Sequence, residues 1–262
     1  MFDKYLIVAS KKDAAGINIT TQLSQFGDYH FYLPEEEIIY TENLDLEKIN
    51  QYDFIIFASR HQSEKPSKTL SIHAPGNPRG AAFGGIPGKF SKTSALFMKQ
   101  AFIKLKENAK ESGLKYEITM ECTHHGPLIE KPCMFIEIGS GENEWNDRRA
   151  GFVIAKTISE VIKEFKENPY NEIAIAIGGP HYCPVFNKIQ VDSNVAIGHV
   201  IPQYSLPLTE EMVREALNKT EEEIDIIVID WKGIGNSEQR QQAMSVLNKF
   251  YLPIKRTSDV GK

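Results

Sequence analysis

Short apolar runs rich in β-branched and aromatic residues alternate along the chain with segments whose apolar positions return every three to four residues. These are the periods of strand and helix. The runs predict strands over 5–10, 53–60, 69–73, 116–122, 133–138, 172–179, 195–201 and 225–231. The helical spacing predicts helices over 13–23, 94–111, 143–165, 210–218 and 237–250. Within 94–111, Leu96, Phe97, Phe102 and Leu105 share one stripe, with lysines on the remainder. Within 143–165, Trp145, Phe152, Ala155, Ile158, Ile162 and Phe165 do the same, and that stripe is read as core. Strands flanked by helices in this way predict an α/β protein, a three-layer α/β/α arrangement around a mixed, largely parallel sheet.

Gly and Pro punctuate the stretch 61–92, where only 69–73 reads as a strand. Irregular stretches of this length inside a compact domain are usually functional. With no visible linker, repeat or low-complexity tract, one domain over 1–262 is expected, elaborated by a loop region around 59–92.

Composition narrows the class. No run of about 18 apolar residues exists for a membrane span, and the N-terminal segment reads as a buried strand rather than a signal peptide. A cytoplasmic protein is expected. Three cysteines, Cys122, Cys133 and Cys183, cannot all pair, so thiols or metal ligands are favoured over disulfides. Cys133 opens an apolar strand and is read as packing. The net charge of −5 does not suggest a nucleic-acid binder. Its distribution changes that picture: residues 59–115 hold 11 Lys/Arg against 3 Asp/Glu, so one positive region sits on an acidic body. Such a region attracts phosphates, although a solvated face carries the same signature.

The chemistry concentrates in histidines. Six of the seven fall in short polar, Gly/Pro-containing clusters at or just after predicted strand ends: His61 and His73, His124 and His125, His181, and His199. In open α/β sheets the ligand crevice lies outside the carboxyl ends of the strands, so these loops are expected to converge there. Histidine is both a common metal ligand and the acid or base of neutral pH. Glu121 with His124 and His125, and His181 with Cys183, suit zinc, whose bound water ionises near neutral pH. Neither AFGGIPGKF nor AIGGPHYCP matches a nucleotide-binding glycine motif, and the absence of GxSxG removes the ordinary serine esterase.

The segments SRHQSEKPSKTLSIHAPGN, MECTHHGP, IEIGSGENEWND, AIGGPHYCP and IGHVIPQ resemble the archaeal and plant-type D-aminoacyl-tRNA deacylases. The resemblance spans nearly the whole chain. It implies hydrolysis of the ester that joins a D-amino acid to tRNA, two zinc ions per monomer, and a fold like that of phosphorylase-like and peptidyl-tRNA hydrolase proteins. On this reading His61, His73, His124 and Glu121 are the catalytic candidates. The candidate metal ligands are His124, His125, His181, Cys183 and His199, and the candidates for phosphate contact are Lys65, Lys68, Arg79 and Lys89. A tRNA carrying a D-amino acid is the expected partner and a monomer the expected state. A zinc hydrolase of a small ester or amide is the alternative.

Overall fold

A computed structural model describes residues 2–42, 46–63, 67–168 and 171–261. The chain runs β1 (Tyr5–Val8), α1 (Ala14–Leu23), β2 (His30–Tyr32), α2 (Leu46–Ile49), β3 (Phe54–Gln62), β4 (Thr69–His73), α3 (Ala95–Glu111), β5 (Glu117–Met120) and β6 (Cys133–Ser140). It continues through α4 (Glu142–Trp145), α5 (Arg148–Glu164), β7 (Glu172–Ile177), α6 (Pro184–Asp192), β8 (Val195–Ile201), α7 (Glu210–Asn218), β9 (Ile226–Ile229), α8 (Ser237–Leu247) and β10 (Ile254–Arg256). The α/β expectation holds: a six-stranded sheet of order β2-β1-β3-β6-β4-β5 is parallel throughout except where β4 meets β6. The remaining strands form a second, wholly parallel sheet of order β10-β9-β7-β8. The apolar runs alone did not divide the strands in two, because periodicity reports that a strand is buried and not which neighbour it pairs with.

The core explains the layering. Ala15, Ile19 and Leu23 of α1, Phe97, Phe102 and Leu105 of α3, and Ile154 and Ile158 of α5 share one cluster with Ile7, Ile56 and Ile136 of the first sheet. The same cluster reaches Ala174, Ile197 and Val228 of the second sheet. The helices thus pack against both sheets. Ile175 and Ile227, on the other face of the second sheet, pack with Met212 and Val213 of α7 and Leu247 of α8. A smaller cluster of Leu6, Val8, Ile55, Phe57 and Phe135 covers the opposite face of the first sheet. That face carries no long helix among the described residues, and it is where the site forms.

The helix expected over 143–165 is two helices. Asp147 caps α5 by accepting from Arg149 N, and Asn18 Nδ2 donates to the carbonyls of Trp145 (3.0 Å) and Asp147 (2.9 Å) at the break. The predicted stripe holds apart from Phe152, which is exposed: Ala155 and Ile158 are buried, Trp145, Ile162 and Phe165 pack against the same cluster, and Ala150, Val153, Ile154 and Val161 complete the buried face.

Lys99 of α3 joins the two halves. Its buried ammonium donates to the carbonyls of Gln190 (2.6 Å), Ser193 (2.9 Å) and Val195 (2.9 Å), at the end of α6 and the start of β8. Burial pulls its pKa down to about 8. Lys99→Met strands three carbonyls, and we expect a loss of roughly 2–4 kcal/mol in urea unfolding. An unchanged midpoint would show that the carbonyls find other donors.

Candidate active site

The register of the first sheet builds the floor of the site. Ser59 lies opposite Glu137 and His61 opposite Gly139 across β3 and β6, while Ser71 and His73 of β4 lie opposite Glu137 and Phe135. Side chains alternate along a strand, so these residues leave one face together, next to the apolar patch of Phe57 and Phe135. A Cβ on Gly139 would collide with Thr69 Oγ1 and the His61 ring, so glycine is what lets those two side chains approach. Because β4 and β5 run against β6, the segment 121–125 that follows β5 does not leave from the carboxyl edge where His61 stands. The expected meeting along one carboxyl edge is therefore replaced by a meeting on the sheet face.

Segment 121–125 is held from both sheets. Glu121 N donates to Ile72 O (3.0 Å), Cys122 N to His181 O (2.9 Å) and Thr123 N to Val200 O (2.9 Å). The turn bearing His181 follows β7. It is tied down by Asn187 of α6, which donates to Tyr182 O (3.0 Å) and accepts from Met120 N (2.7 Å). Two non-glycine residues in these turns, His125 (φ 44) and Cys183 (φ 51), are held in the left-handed region, a cost that backbones tend to carry at functional sites.

Glu121 is the hub. Its carboxylate takes a hydrogen bond from His181 Nε2 at 2.8 Å and lies 3.5 Å from His124 Nε2. His61 Nδ1 approaches its other oxygen to 3.1 Å but off the hydrogen-bond axis, so that oxygen, Oε1, has no aligned donor. On the far side of His61, Nε2 meets Tyr182 OH at 2.8 Å. His181 Nδ1 lies 3.4 Å from Cys122 Sγ, which meets Tyr204 OH at 2.8 Å. Glu137 Oε2 stands 3.7 Å from both His61 Nδ1 and His73 Nε2.

The carbonyls around three rings set their tautomers. The Nδ1 atoms of His73, His124 and His125 face the carbonyls of Ala74 (3.3 Å), Cys122 (2.8 Å) and Gly126 (2.6 Å). A carbonyl only accepts, so each Nδ1 carries the proton and each Nε2 keeps its lone pair. Burial, foremost, keeps these rings neutral: it lowers His73 to about 4 and His125 to about 3, and holds His124 well below the usual imidazole range. Burial likewise opposes charge on Glu121 and His181. On His181 the hydrogen bonds to Cys122 and Glu121 and the charge of Glu121 outweigh it, and on His61 the charges of Glu121 and Glu137 do, so both imidazoles are raised and the Glu121 carboxyl stays well below its ordinary range. Glu137 goes the other way, pushed well above its ordinary range by burial and by the charge of Glu121. Two neighbouring carboxyls with opposed shifts divide the roles of anion and proton carrier.

Four sets of donor atoms lie mutually within 4.8 Å: His73, His124 and His125; Cys122, His124 and His181; His61, Glu121 and His181; and His73, Glu121 and Glu137. Two buried atoms in these sets, His73 Nε2 and Glu121 Oε1, have no hydrogen-bond partner. Lone pairs that converge, and buried polar atoms left over, fit a cation. The site opens into a cleft of about 630 Å³ lined by His61, His124, His125 and His181.

Of the expected residues, His61, His73, Glu121, His124, His125 and His181 come together. Two do not. His199 is buried apart, its Nδ1 against Thr123 Oγ1 (3.1 Å) and its Nε2 against Lys219 O (3.2 Å), which leaves no nitrogen for a metal. Cys183 occupies the N-cap position of α6, its thiol donates to His181 O (3.4 Å), and burial raises its pKa; the sulfur in the donor sets is Cys122. Glu137 was not singled out in the sequence, although one carboxylate inside the apolar strand CMFIEIGS was the available signal. Tyr182 and Tyr204 carried none. Among the expected phosphate contacts, Lys68 is exposed above the Tyr116 ring at 5.7 Å. Arg79 donates to the carbonyls of Ser205 and Pro207, both at 2.6 Å, and Lys89 pairs with Glu215 at 2.7 Å. Lys65 lies outside the described residues.

Fold and site together define an α/β protein with an imidazole- and carboxylate-lined cleft of hydrolase type. A family model described as D-aminoacyl-tRNA deacylase matches residues 48–255. The chain is 36% identical over 270 residues to the D-aminoacyl-tRNA deacylase of Pyrococcus furiosus, covering 94% of this chain and 97% of that one. It is 36% identical over 256 residues to that of Archaeoglobus fulgidus, covering 90% of each. A crystal structure of a conserved protein of unknown function superposes with a TM-score of 0.89 at 32% identity, covering 98% of this chain and 96% of the other. The chain belongs to the D-aminoacyl-tRNA deacylase family.

Proposed function

We propose that the chain hydrolyses the ester between a D-amino acid and the 3′ end of its tRNA in this cleft, with zinc held by His73, His124 and His125. The observation that carries the metal reading is the shared tautomer: three buried rings commit Nδ1–H to backbone carbonyls and offer Nε2. This is the arrangement in which second-shell carbonyls orient metal-binding imidazoles. A second ion, implied by the family resemblance, would draw on Cys122 and on His181 in its neutral form, since the one free nitrogen of His124 is already used. Bound zinc supplies a water that ionises near neutral pH and a Lewis acid for the ester carbonyl.

The chain's own groups do the rest. Glu121 fixes the rings of His181 and His61, and its charge favours protonation of His61, which places positive charge in the cleft wall where an oxyanion develops. Glu137, held neutral, is a proton carrier beside His61 and His73. A role in translation supports a cytoplasmic location, and among the described residues no helix is long and apolar enough to cross a membrane.

The test is release of D-tyrosine and of L-tyrosine from charged tRNA, with and without a chelator. The D form is expected to be released well above the uncatalysed rate and the L form near it. Chelation is expected to lower the D rate at least about tenfold, to be reversed by zinc, and to leave circular dichroism unchanged. Equal rates for the two enantiomers would remove the deacylase reading, and indifference to chelation would remove the metal.

A further inference from the structure

The rim of the cleft carries two aromatic rings that the rest of the chain leaves open. Tyr40 is 49% exposed and Phe83 63% exposed, and both line the cleft that holds the imidazoles. They come from segments distant in sequence that are clamped together. Asn77 Nδ2 donates to Gly84 O at 2.8 Å, and Gly85 N donates to the Glu42 carboxylate. Gly84, at φ +72, abuts Ile39 O so closely that any Cβ would collide with it. Gly126 N donates to Phe83 O at 2.9 Å, which ties the Phe83 loop to the residue after His125. On the other segment, Ile38 is buried and Thr41 donates to its carbonyl through both N (3.2 Å) and Oγ1 (2.6 Å). The rings are therefore mounted on backbone registered to the imidazoles, which is the design of a platform rather than of a mobile flap.

The same cleft is lined by Lys12 and Arg60. Arg60 is paired with Glu37 at 2.6 Å. Among the described residues no carboxylate lies within ion-pair distance of the Lys12 ammonium, and Lys12 also lines an adjoining groove with the exposed Arg148. Open aromatic faces beside a free cation match the chemistry of a single-stranded nucleic acid: bases stack on the rings and phosphate meets the ammonium.

We infer that Tyr40 and Phe83 form a stacking platform for the unpaired terminal bases of the tRNA acceptor end, with Lys12 contacting the adjacent phosphate. This rests on the deacylase reading above. An ester on the terminal ribose lies one sugar away from its base, so a carbonyl placed among His124, His125 and His181 leaves that base at the mouth of the cleft, where the rings stand. Every base has a π face, so stacking accepts any tRNA with the same unpaired end. The deep wall is imidazole and carboxylate, so the apolar rim is what distinguishes a nucleic-acid ester from a small one.

The experiment uses the full chain with Phe83→Leu, Tyr40→Leu and Phe83→Tyr. Both rings are exposed, so melting temperatures are expected to stay near that of the wild type. Each leucine variant is expected to raise KM about tenfold for D-tyrosyl-tRNA and for D-alanyl-tRNA alike, while Phe83→Tyr stays close to wild type. A 2-aminopurine in the terminal position of uncharged tRNA should be quenched by the wild type and not by Phe83→Leu. Unchanged KM and quenching in the leucine variants would overturn the platform. So would a KM rise confined to D-tyrosyl-tRNA, because the rings would then hold the amino-acid side chain. Quenching of uncharged tRNA does not require hydrolysis, so a failed deacylase reading and a failed platform give different results.

Discussion

Glu121→Gln is expected to lower kcat/KM for D-tyrosyl-tRNA by about 10²–10⁴-fold in protein that remains folded at neutral pH. The side chain is 1% exposed and faces three imidazoles, from His61, His124 and His181. Glutamine keeps its shape and removes its charge. His61 then loses the charge that favours its protonated form, His181 keeps only Cys122 of the two partners that raise it, and an oxygen of two donor sets becomes a weaker ligand. Because these groups act together, one removal should cost nearly as much as several. Glu137→Gln is the control. Burial and the charge of Glu121 favour the neutral form of that carboxyl, so an amide keeps the charge pattern and removes only the proton carrier, and the loss is expected to fall short of that of Glu121→Gln. Tyrosine release is the readout, with circular dichroism to verify folding. Activity of Glu121→Gln within about threefold of wild type would sink the hub assignment.

Stability is expected to fall steeply as pH drops below 6.5. Four imidazoles, His73, His124, His125 and His199, are held below their ordinary pKa, foremost by burial. In the unfolded chain they take up protons near pH 6.5; in the folded chain His73, His125 and His199 do so only near 4 or lower, and His124 well below its ordinary range. Between those values the unfolded state binds more protons, so each ring removes about 1.4 kcal/mol per pH unit. Glu137 acts oppositely: its folded carboxyl holds a proton above the ordinary range, so it gains stability as pH falls toward 4.5. His61 and His181, whose pKa values are raised, are charged in both states below 6.5 and add no slope. Four rings against one carboxyl leave a net slope of roughly 4 kcal/mol per pH unit between about pH 6 and 4.5. Bound metal would steepen it, since ligating imidazoles must be deprotonated. Across that window the loss is about 6 kcal/mol, so a domain at the low end of the usual range of roughly 5–15 kcal/mol would unfold by about pH 4.5. Urea midpoints at several pH values between neutral and mildly acid check this, and a flat series would mean that the rings protonate without unfolding the chain.

How much of this the sequence discloses differs from element to element. Segment 133–138 is legible as a buried strand, yet that reading hid Glu137: a strand is judged by its majority, and the exception is the functional residue. Helix 143–165 was legible as helical residues but not as two helices, because the break is stabilised by Asn18, more than a hundred positions away. His199 and Cys183 have the same local signature as His181, each beside Gly or Pro near a strand end. Only packing separates them, since His199 meets Thr123 and Lys219 and Cys183 occupies the N-cap position of α6.

By itself the sequence determined the α/β class, eight of the ten strands among the described residues, five helical segments, the histidine-bearing segments and the family they resemble. These are readable because period, turn residues and motif order are properties of contiguous chain. The division into two sheets, the reversal of β4 that moves the site onto a sheet face, the tautomers of His73, His124 and His125, and the opposed protonation of Glu121 and Glu137 were decided only by tertiary structure. Each depends on which distant groups come within a few ångströms and on how far water is excluded, and neither quantity is encoded in the spacing of residues along the chain.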